Sequence, residues 1–161
     1  MSDFVINKIT EEINLIDGFT LTKIGDGRTT KELLRDGRYK FVHSYINPQN
    51  FPVRSKREGL TKLALLGFDQ KTTSREVIFN AKKLGLKPPI YEDIFYFGIE
   101  CECPNIKQRW LIVFLHEPVN LFGDPMILCL WSDYIGRALR PVRFNIRWTC
   151  DSWLPWFAFV H

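Results

Sequence analysis

The chain contains no long hydrophobic run and no leader-like start. None of its apolar stretches reaches the roughly 18 residues that a membrane-spanning helix needs. Residues 1–4 lack a basic segment followed by an apolar core, which is the pattern of a secretory signal. We therefore expect a cytoplasmic protein without a membrane partner.

Signatures of catalysis are also scarce. The chain has three histidines, His43, His116 and His161, and none stands near a nucleophile motif such as Gly-x-Ser-x-Gly. Residues 25–30, Gly-Asp-Gly-Arg-Thr-Thr, precede a predicted helix but lack the Gly-Lys-Ser/Thr of a P-loop. We interpret this segment as a turn followed by a helix cap. The sequence therefore predicts no catalytic residue and no cofactor.

The four cysteines do not form a recognisable metal motif. Without a secretory signal we expect reduced thiols rather than disulfides. Cys101, Cys103 and Cys129 with His116 offer zinc-binding atoms, but Cys-x-Cys is not the usual knuckle spacing and no second pair follows. We therefore predict free thiols, with Cys129 in the core, and no metal site.

Composition and charge are those of an ordinary soluble domain. The 161 residues are 45% hydrophobic and 25% charged, with a net charge of +4, too small a surplus to indicate nucleic acid by itself. The polar, basic segment 54–59 ends on Gly59 and is the best linker candidate. We predict an N-terminal helical extension over residues 1–58 and an α+β domain over residues 59–161.

Helical periodicity and capping residues predict several helices. Thr29 with Glu32 forms a capping-box pattern, Thr73 or Ser74 caps a later segment, and Pro88-Pro89 precedes another. Gly85 stands where a helix would end. The predicted helices cover residues 3–16, 29–36, 39–46, 75–84 and 90–98.

Alternation and apolar runs predict strands over residues 19–24, 60–68, 110–115, 126–131, 142–148 and 156–160. In the segment 142–148 every second residue is apolar. This places Val142, Phe144, Ile146 and Trp148 on one face, and Arg143, Asn145 and Arg147 on the other. We therefore expect Trp148 in the core.

The order of these elements resembles the C-type-lectin-like fold, as in formylglycine-generating-enzyme-like domains and variable proteins of diversity-generating retroelements. The segments that carry this resemblance are 68–69, 74–77, 84–88, 91–94, 130–133 and 156–160. A second resemblance, over residues 31–161, is to a set of small bacterial proteins and rests on segments 31–39, 50–53, 108–113, 130–133, 136–137 and 157–160. The resemblance implies two helices packed on a C-terminal antiparallel sheet whose last strand pairs with an early one.

The chain departs from the metal and redox sites of that fold. Sugar-binding C-type lectins hold calcium with Glu-Pro-Asn and Trp-Asn-Asp runs, whereas this chain has Glu117-Pro118-Val119-Asn120 and Trp131-Ser132-Asp133. A protein-bound calcium ion is coordinated by about six to eight oxygen atoms. Only Glu117, Asn120 and Asp133 are candidates to supply them. No reactive cysteine pair aligns with that of the formylglycine-generating enzymes. We therefore predict no calcium and no oxidase chemistry.

Tryptophan and arginine concentrate in the last third of the chain, and both are frequent in binding hot spots. Arg137, Arg140, Arg143 and Arg147 follow one another there, and Trp153 stands in a polar loop. In the retroelement variable proteins this region faces the ligand. The predicted ligand-binding surface comprises Trp131, Asp133, Tyr134, Arg137, Arg143, Asn145, Arg147, Asp151 and Trp153.

We favour non-catalytic recognition of a protein or small ligand by this surface. Two alternatives stay open. One is a small enzyme with a Cys/His site built from Cys101, Cys103 or His116. The other is a nucleic-acid-binding protein that uses a basic face between Arg137 and Arg147. Convergence of the arginines on one concavity would favour a binding surface there.

Overall fold

The computed structural model describes residues 5–54, 58–101, 109–145, 147–148 and 155–161. The helices are α1 (Thr30–Asp36), α2 (Ser74–Lys83) and α3 (Tyr91–Glu100). The strands are β1 (Ile6–Lys8), β2 (Ile13–Leu21), β3 (Phe41–Val42), β4 (Thr61–Phe68), β5 (Thr72–Thr73), β6 (Trp110–Leu121), β7 (Asp124–Ser132), β8 (Arg137–Arg143), β9 (Arg147–Trp148) and β10 (Trp156–Val160).

Eight strands form one large, mostly antiparallel sheet in the order β1-β2-β4-β10-β6-β7-β8-β3. The C-terminal strand β10 lies inside it, antiparallel to β4 and parallel to β6. The other parallel pair is β3 with β8 at one edge. Strands β5 and β9 form a separate two-stranded ribbon. The pairing of β10 with β4 confirms that the last strand pairs with an early one.

Helices cover both faces of the sheet, so the fold has three layers. Helices α1 and α3 pack on one face, the α3 face, together with Leu63 and Leu65 of β4. Helix α2 packs on the other, the α2 face, with Ala64 and Leu66 of the same strand. Because both faces are covered, β4 is a nearly continuous apolar run rather than an alternating one.

Helix α3 is the most deeply buried helix. Ile94, Phe95, Tyr96 and Phe97, which together point all round the helix, are each buried. The sheet lies on one side of α3, and α1 with buried residues of segment 24–51 packs in the same cluster. A helix that is apolar on all sides needs cover on all sides, and the segment between β2 and β4 supplies it.

The helix predicted over residues 3–16 is wrong within the described residues, because residues 6–8 and 13–21 form the hairpin β1–β2. The side chain of Thr10 accepts the backbone N–H groups of Glu12 and Ile13, which fixes a turn where the helix would continue. Strand β2 also extends the predicted strand 19–24 towards the N-terminus, through a bulge between Ile16 and Phe19. Since β2 pairs with β4, the predicted boundary at residue 58 falls between two neighbouring strands of one sheet.

The helix predicted over residues 39–46 is also wrong. Arg38 has a φ of 53°, which ends the helical course of α1. The backbone N–H groups of Lys40 and His43 then donate to the carbonyls of Arg137 and Leu139. The open edge of β8 therefore captures this segment as strand β3.

The predicted strand 142–148 is divided into two. Strand β8 ends at Arg143, the N–H of Phe144 donates to the carbonyl of Pro125, and the Ser74 hydroxyl donates to the carbonyl of Phe144. The chain then pairs with β5 as β9 instead of continuing along β7. Trp148 and Phe144 still pack in the core of the α2 face, as predicted, and Ile146 lies outside the described residues.

The remaining helices and strands agree with the sequence to within a few residues. Thr29 and Thr73 each make the capping box that opens α1 and α2. Gly85 follows α2 with a φ of +75°, a conformation that suits glycine. Helix α3 carries Glu92 and Asp93 in its first turn. Strands β4, β6, β7 and β10 contain the apolar runs predicted as strands, although β6 extends six residues further than expected, to Leu121.

We predict that Trp148→Ala destabilises the protein by about 3–5 kcal/mol, the usual cost of removing a large buried aromatic. Trp148 is 6% exposed, packs edge-on against Phe157 at 5.5 Å, and donates its indole N–H to Ser74 Oγ at 3.2 Å. Urea unfolding measures the loss. The neighbouring exposed residue gives the control, since Arg147→Ala should change the free energy of unfolding by less than about 0.5 kcal/mol. Equal losses in the two variants would contradict this assignment of faces.

Candidate interaction surface

The four clustered arginines do not share one face. Leu139 packs in the core of the α3 face, so strand alternation directs Arg137 and Arg143 to that side and Arg140 to the α2 side. Arg147 belongs to the separate ribbon and is exposed. Arg143 lies 3.4 Å from the Asp124 carboxylate at the far end of β8. The arginines therefore line no single concavity.

Arg137 joins two helices to the sheet. Its guanidinium donates to the carbonyl of Gly98 at 2.5 Å and to the carbonyl of Gly37, and it lies over the ring of Tyr39 at 5.2 Å. These carbonyls belong to the C-terminal ends of α3 and α1, where carbonyls lack helical partners and the helix dipole is negative. The contacts of Arg137 are those of a residue that holds the fold together.

The other residues predicted for the ligand surface are dispersed. Trp131 is half-buried on the α2 face. Asp133 accepts the N–H groups of Ile135 and Gly136 in the turn before β8, which leaves Tyr134 76% exposed. Asn145 is exposed between β8 and β9. Asp151 and Trp153 lie outside the described residues.

The residues considered for metal binding are separated. Asn120 pairs with Pro125 at the turn end of the β6–β7 hairpin, whereas Asp133 follows the opposite end of β7. At the usual rise per residue of a strand, Pro125 and Asp133 are about 25 Å apart. Cys101 packs against the core of the α3 face and Cys129 lies in that of the α2 face. Over the part of the chain that the structure describes, no three His, Cys, Asp or Glu side chains are grouped to hold a metal.

Burial makes Cys129 and His116 unreactive. Burial raises the pKa of the Cys129 thiol to about 12, so little thiolate forms near neutral pH. Burial also lowers the pKa of His116 from 6.5 to about 4. The His116 ring bonds backbone on both sides: Leu128 N–H donates to Nε2 at 3.0 Å, and Nδ1 lies 2.7 Å from the Glu117 carbonyl. The neutral tautomer with hydrogen on Nδ1 satisfies both bonds.

The position of His116 explains its burial. In the β6–β7 pairing, residues 115–118 stand opposite the single residue Ile127. The His116 imidazole lies in this bulge and accepts the N–H of Leu128, and a buried N–H without an acceptor would be costly. His116 is therefore a structural histidine of the bulge.

A row of exposed and half-buried aromatic side chains lies where β3 forms the edge of the sheet. Ring centroids are 6.4 Å apart for Phe41 and His43, 4.8 Å for His43 and Tyr45, and 5.0 Å for Tyr45 and Phe122. The guanidinium of Arg140 lies 5.0 Å from the centre of the Phe41 ring. We call these five residues the aromatic edge.

The backbone aligns this row with the sheet. Phe41 is the cross-strand neighbour of Ala138, which in turn stands opposite Trp131 on β7. His43 Nδ1 accepts the N–H of Tyr45 at 3.1 Å and so fixes the turn after β3. The half-buried Trp131, which the sequence did predict for a site, thus borders the aromatic edge.

Phe122 occupies an unusual position at the tip of the β6–β7 hairpin. Leu121 pairs with Asp124, so the turn has two central residues, Phe122 and Gly123, with φ values of 54° and 88°. Two-residue turns with positive φ at both positions favour Asn-Gly, because a side chain with a bulky Cβ substituent fits poorly there. Yet Phe122 is also 80% exposed, so burial does not offset this strain.

Sequence reasoning missed the aromatic edge although a signal was present. Phe41, His43 and Tyr45 recur at every second residue, which is strand spacing, whereas the sequence analysis predicts a helix for this segment. Phe122-Gly123 lies among the ten residues that separate the predicted strands 110–115 and 126–131. An aromatic residue in place of the usual Asn was the other available signal.

Comparisons with known proteins give no relative. No family model matches the chain, and neither a curated protein nor a solved structure matches it. Among the helices of the described residues, none combines the length and the apolar character needed to cross a membrane.

We predict that His116 makes folding stability fall in mild acid. The unfolded state takes up this proton near pH 6.5 and the folded state only near pH 4, so the contribution is complete above pH 6.5 and decreases as the pH falls towards 4. The difference corresponds to about 3 kcal/mol. Urea unfolding between pH 7 and 4 should show a shallower pH dependence for His116→Gln than for the parent. His43→Gln, which removes a half-buried histidine, serves as the control for loss of a histidine. Parallel pH profiles for parent and His116→Gln would contradict the prediction.

Proposed function

We propose that this protein is a non-catalytic recognition module that binds a partner protein through the aromatic edge. Phe122 is the observation that carries the proposal. The positive φ of Phe122 destabilises the folded state by about 1–2 kcal/mol. Because the side chain is exposed, burial contributes no stabilisation that would offset this strain. Backbone strain of this kind concentrates at binding sites, and a partner that covers Phe122 would supply the missing burial.

The geometry of the rings favours a protein over stacked bases or a flat sugar chain. The interplanar angles between neighbours along the row are 87°, 65° and 47°. Successive bases need roughly parallel ring faces to stack on. Rings that alternate edge and face instead form an uneven apolar surface, which the side chains of a protein can interdigitate with.

Arg140 adds the polar component expected of a hot spot. None of the ion pairs among the described residues includes Arg140, and its guanidinium lies against the exposed Phe41. Arginine beside aromatic side chains is the composition that dominates binding energy at protein interfaces. We therefore expect a partner that offers a carboxylate next to an apolar group.

The C-type-lectin-like assignment is part of the same proposal. The strand β4, the helices α2 and α3, and the following antiparallel strands, with β10 paired to β4, support it. Helices on both faces of the sheet go beyond the two helices that the resemblance implies. The sequence-derived surface around Tyr134, Arg143 and Asn145 remains a second candidate region for the partner.

The two alternatives have weaker support. An enzyme using His116 would need that imidazole near solvent, and it is buried in the β6–β7 bulge. A nucleic-acid site between Arg137 and Arg147 would need a shared face, and β8 divides these arginines between two faces. Recognition through the aromatic edge depends on neither condition.

We predict that Phe122→Asn separates binding from stability. Asparagine suits the positive φ of this turn, so the free energy of unfolding should stay unchanged or rise by up to about 1 kcal/mol. Loss of a hot-spot aromatic should weaken partner capture at least tenfold, a factor that corresponds to about 1.4 kcal/mol. Urea unfolding and affinity capture of partners from cell extract by the tagged protein measure the two effects.

The comparison variant is Tyr134→Asn, which removes an aromatic side chain of similar exposure from the second candidate region and so tests that region in parallel. A protein captured by the parent and by Tyr134→Asn, but not by Phe122→Asn, is the expected result. If Phe122→Asn lowers stability, Phe122 is required for folding and the proposal loses its basis. Capture of the same proteins by all three forms would also contradict it.

A further inference from the structure

The outward side of α2 carries a second, separate surface. Val77 and Ala81 point into the core of the α2 face. Arg75, Phe79 and Lys83 recur four residues apart on the opposite side and form one outward stripe. Phe79 in this stripe is 60% exposed. A large apolar side chain among cations on the outside of a helix has no role in the core below it.

Positive charge is concentrated around this helix. Residues 71–87 contain five basic residues, namely Lys71, Arg75, Lys82, Lys83 and Lys87, and one acidic residue, Glu76. The net charge of this segment therefore equals the +4 of the whole chain. Excess positive charge therefore gathers on this helix and its two flanks.

The nearby carboxylates are engaged elsewhere. Glu76 accepts the N–H of Thr73 and the hydroxyl of Thr72 as part of the helix cap. Asp69 lies 3.5 Å from Lys8 Nζ and accepts the side-chain amide of Asn14. No ion pair within the described ranges includes a basic residue of α2.

We propose that the outward stripe of α2, with Lys71 and Lys87 at its ends, docks an acidic segment of a partner protein that also presents apolar side chains. Exposed ion pairs each contribute little, so contact with Phe79 is needed to give affinity and register. The proposal does not depend on the aromatic edge, which lies at the β3 edge of the sheet.

The stripe fits a narrow protein segment better than other polyanions. Lys83 Nζ lies 4.4 Å from the centre of the Phe79 ring and covers one of its faces, which obstructs the base stacking that single-stranded nucleic acids use. Glu11, Glu12 and Asp69 are exposed where the β1–β2 turn meets the segment before β5, with the N–H of Asp69 bonded to the carbonyl of Glu12. Their charges oppose a broad anionic surface such as a membrane, and a single acidic segment along α2 avoids them.

Fluorescence anisotropy tests this with a labelled synthetic peptide, long enough to span α2, in which glutamates alternate with single leucines. The full chain should bind it in a salt-dependent manner. Binding should weaken at least tenfold in Lys82→Gln/Lys83→Gln and in Phe79→Ser. Lys23→Gln/Lys31→Gln, which removes two exposed lysines elsewhere, and Phe122→Asn should bind as the parent does. Thermal melts establish that each variant is folded.

Two further probes identify the class of ligand, namely a labelled oligothymidylate and vesicles of phosphatidylcholine with phosphatidylserine. Tighter binding of either probe than of the peptide, lost in the α2 variants, would replace the acidic segment by nucleic acid or a membrane and overturn the proposal. Absence of peptide binding to the parent, or equal binding to the parent and the α2 variants, would overturn it as well.

Discussion

The fold depends on the insertion of β10 between β4 and β6. Without these five residues the large sheet would divide into one part with β1, β2 and β4 and another with β6, β7, β8 and β3. Phe157 and Phe159 fill the α2 face, while Ala158 and Trp156 face α3. The ring of Trp156 lies over Gly67 of β4, where a Cβ would come within 2.7 Å of it, and stacks with Trp110 of β6. One short strand thus joins the two parts through both layers, and pairings of high sequence separation must form before the core is complete.

Because β10 fills the centre of the sheet and helices cover both of its faces, exposed side chains remain at the sheet edges and on the outer sides of the helices. The edge strands β1 and β3 are only three and two residues long, and short edge strands limit uncontrolled pairing with other chains. At the β3 edge, the side chains of the aromatic edge form a row that extends beyond the two paired residues of β3. Covering both faces with helices has a similar consequence, since α2 must then present its own outer side to solvent. Both proposed surfaces follow from this arrangement.

The sequence predicted local structure well where local chemistry decides it. Capping boxes at Thr29 and Thr73 and the apolar run of β4 determine their elements within a few residues. The sequence prediction failed where pairing with a distant strand determines the structure. The segment that contains Phe41 forms β3 because β8 offers an edge, and its helical spacing is coincidental. The aromatic edge was missed for the same reason. Phe41 and Phe122 are far apart in the chain, and only the register of the sheet brings them into one row.

Residue type alone does not separate binding groups from structural ones in this protein. Trp148 and Arg137 are residue types typical of a binding hot spot. Yet Trp148 donates to Ser74 and Arg137 to carbonyls at helix ends, so their removal would lower the stability of the fold. Phe122 and Arg140 are of the same chemical classes, yet the first strains the backbone while exposed and the second makes no ion pair among the described residues. The difference is whether folding already uses the side chain. Backbone strain at an exposed Phe122, and an Arg140 without an ion pair among the described residues, are therefore the grounds on which the aromatic edge is proposed ahead of the sequence-derived surface.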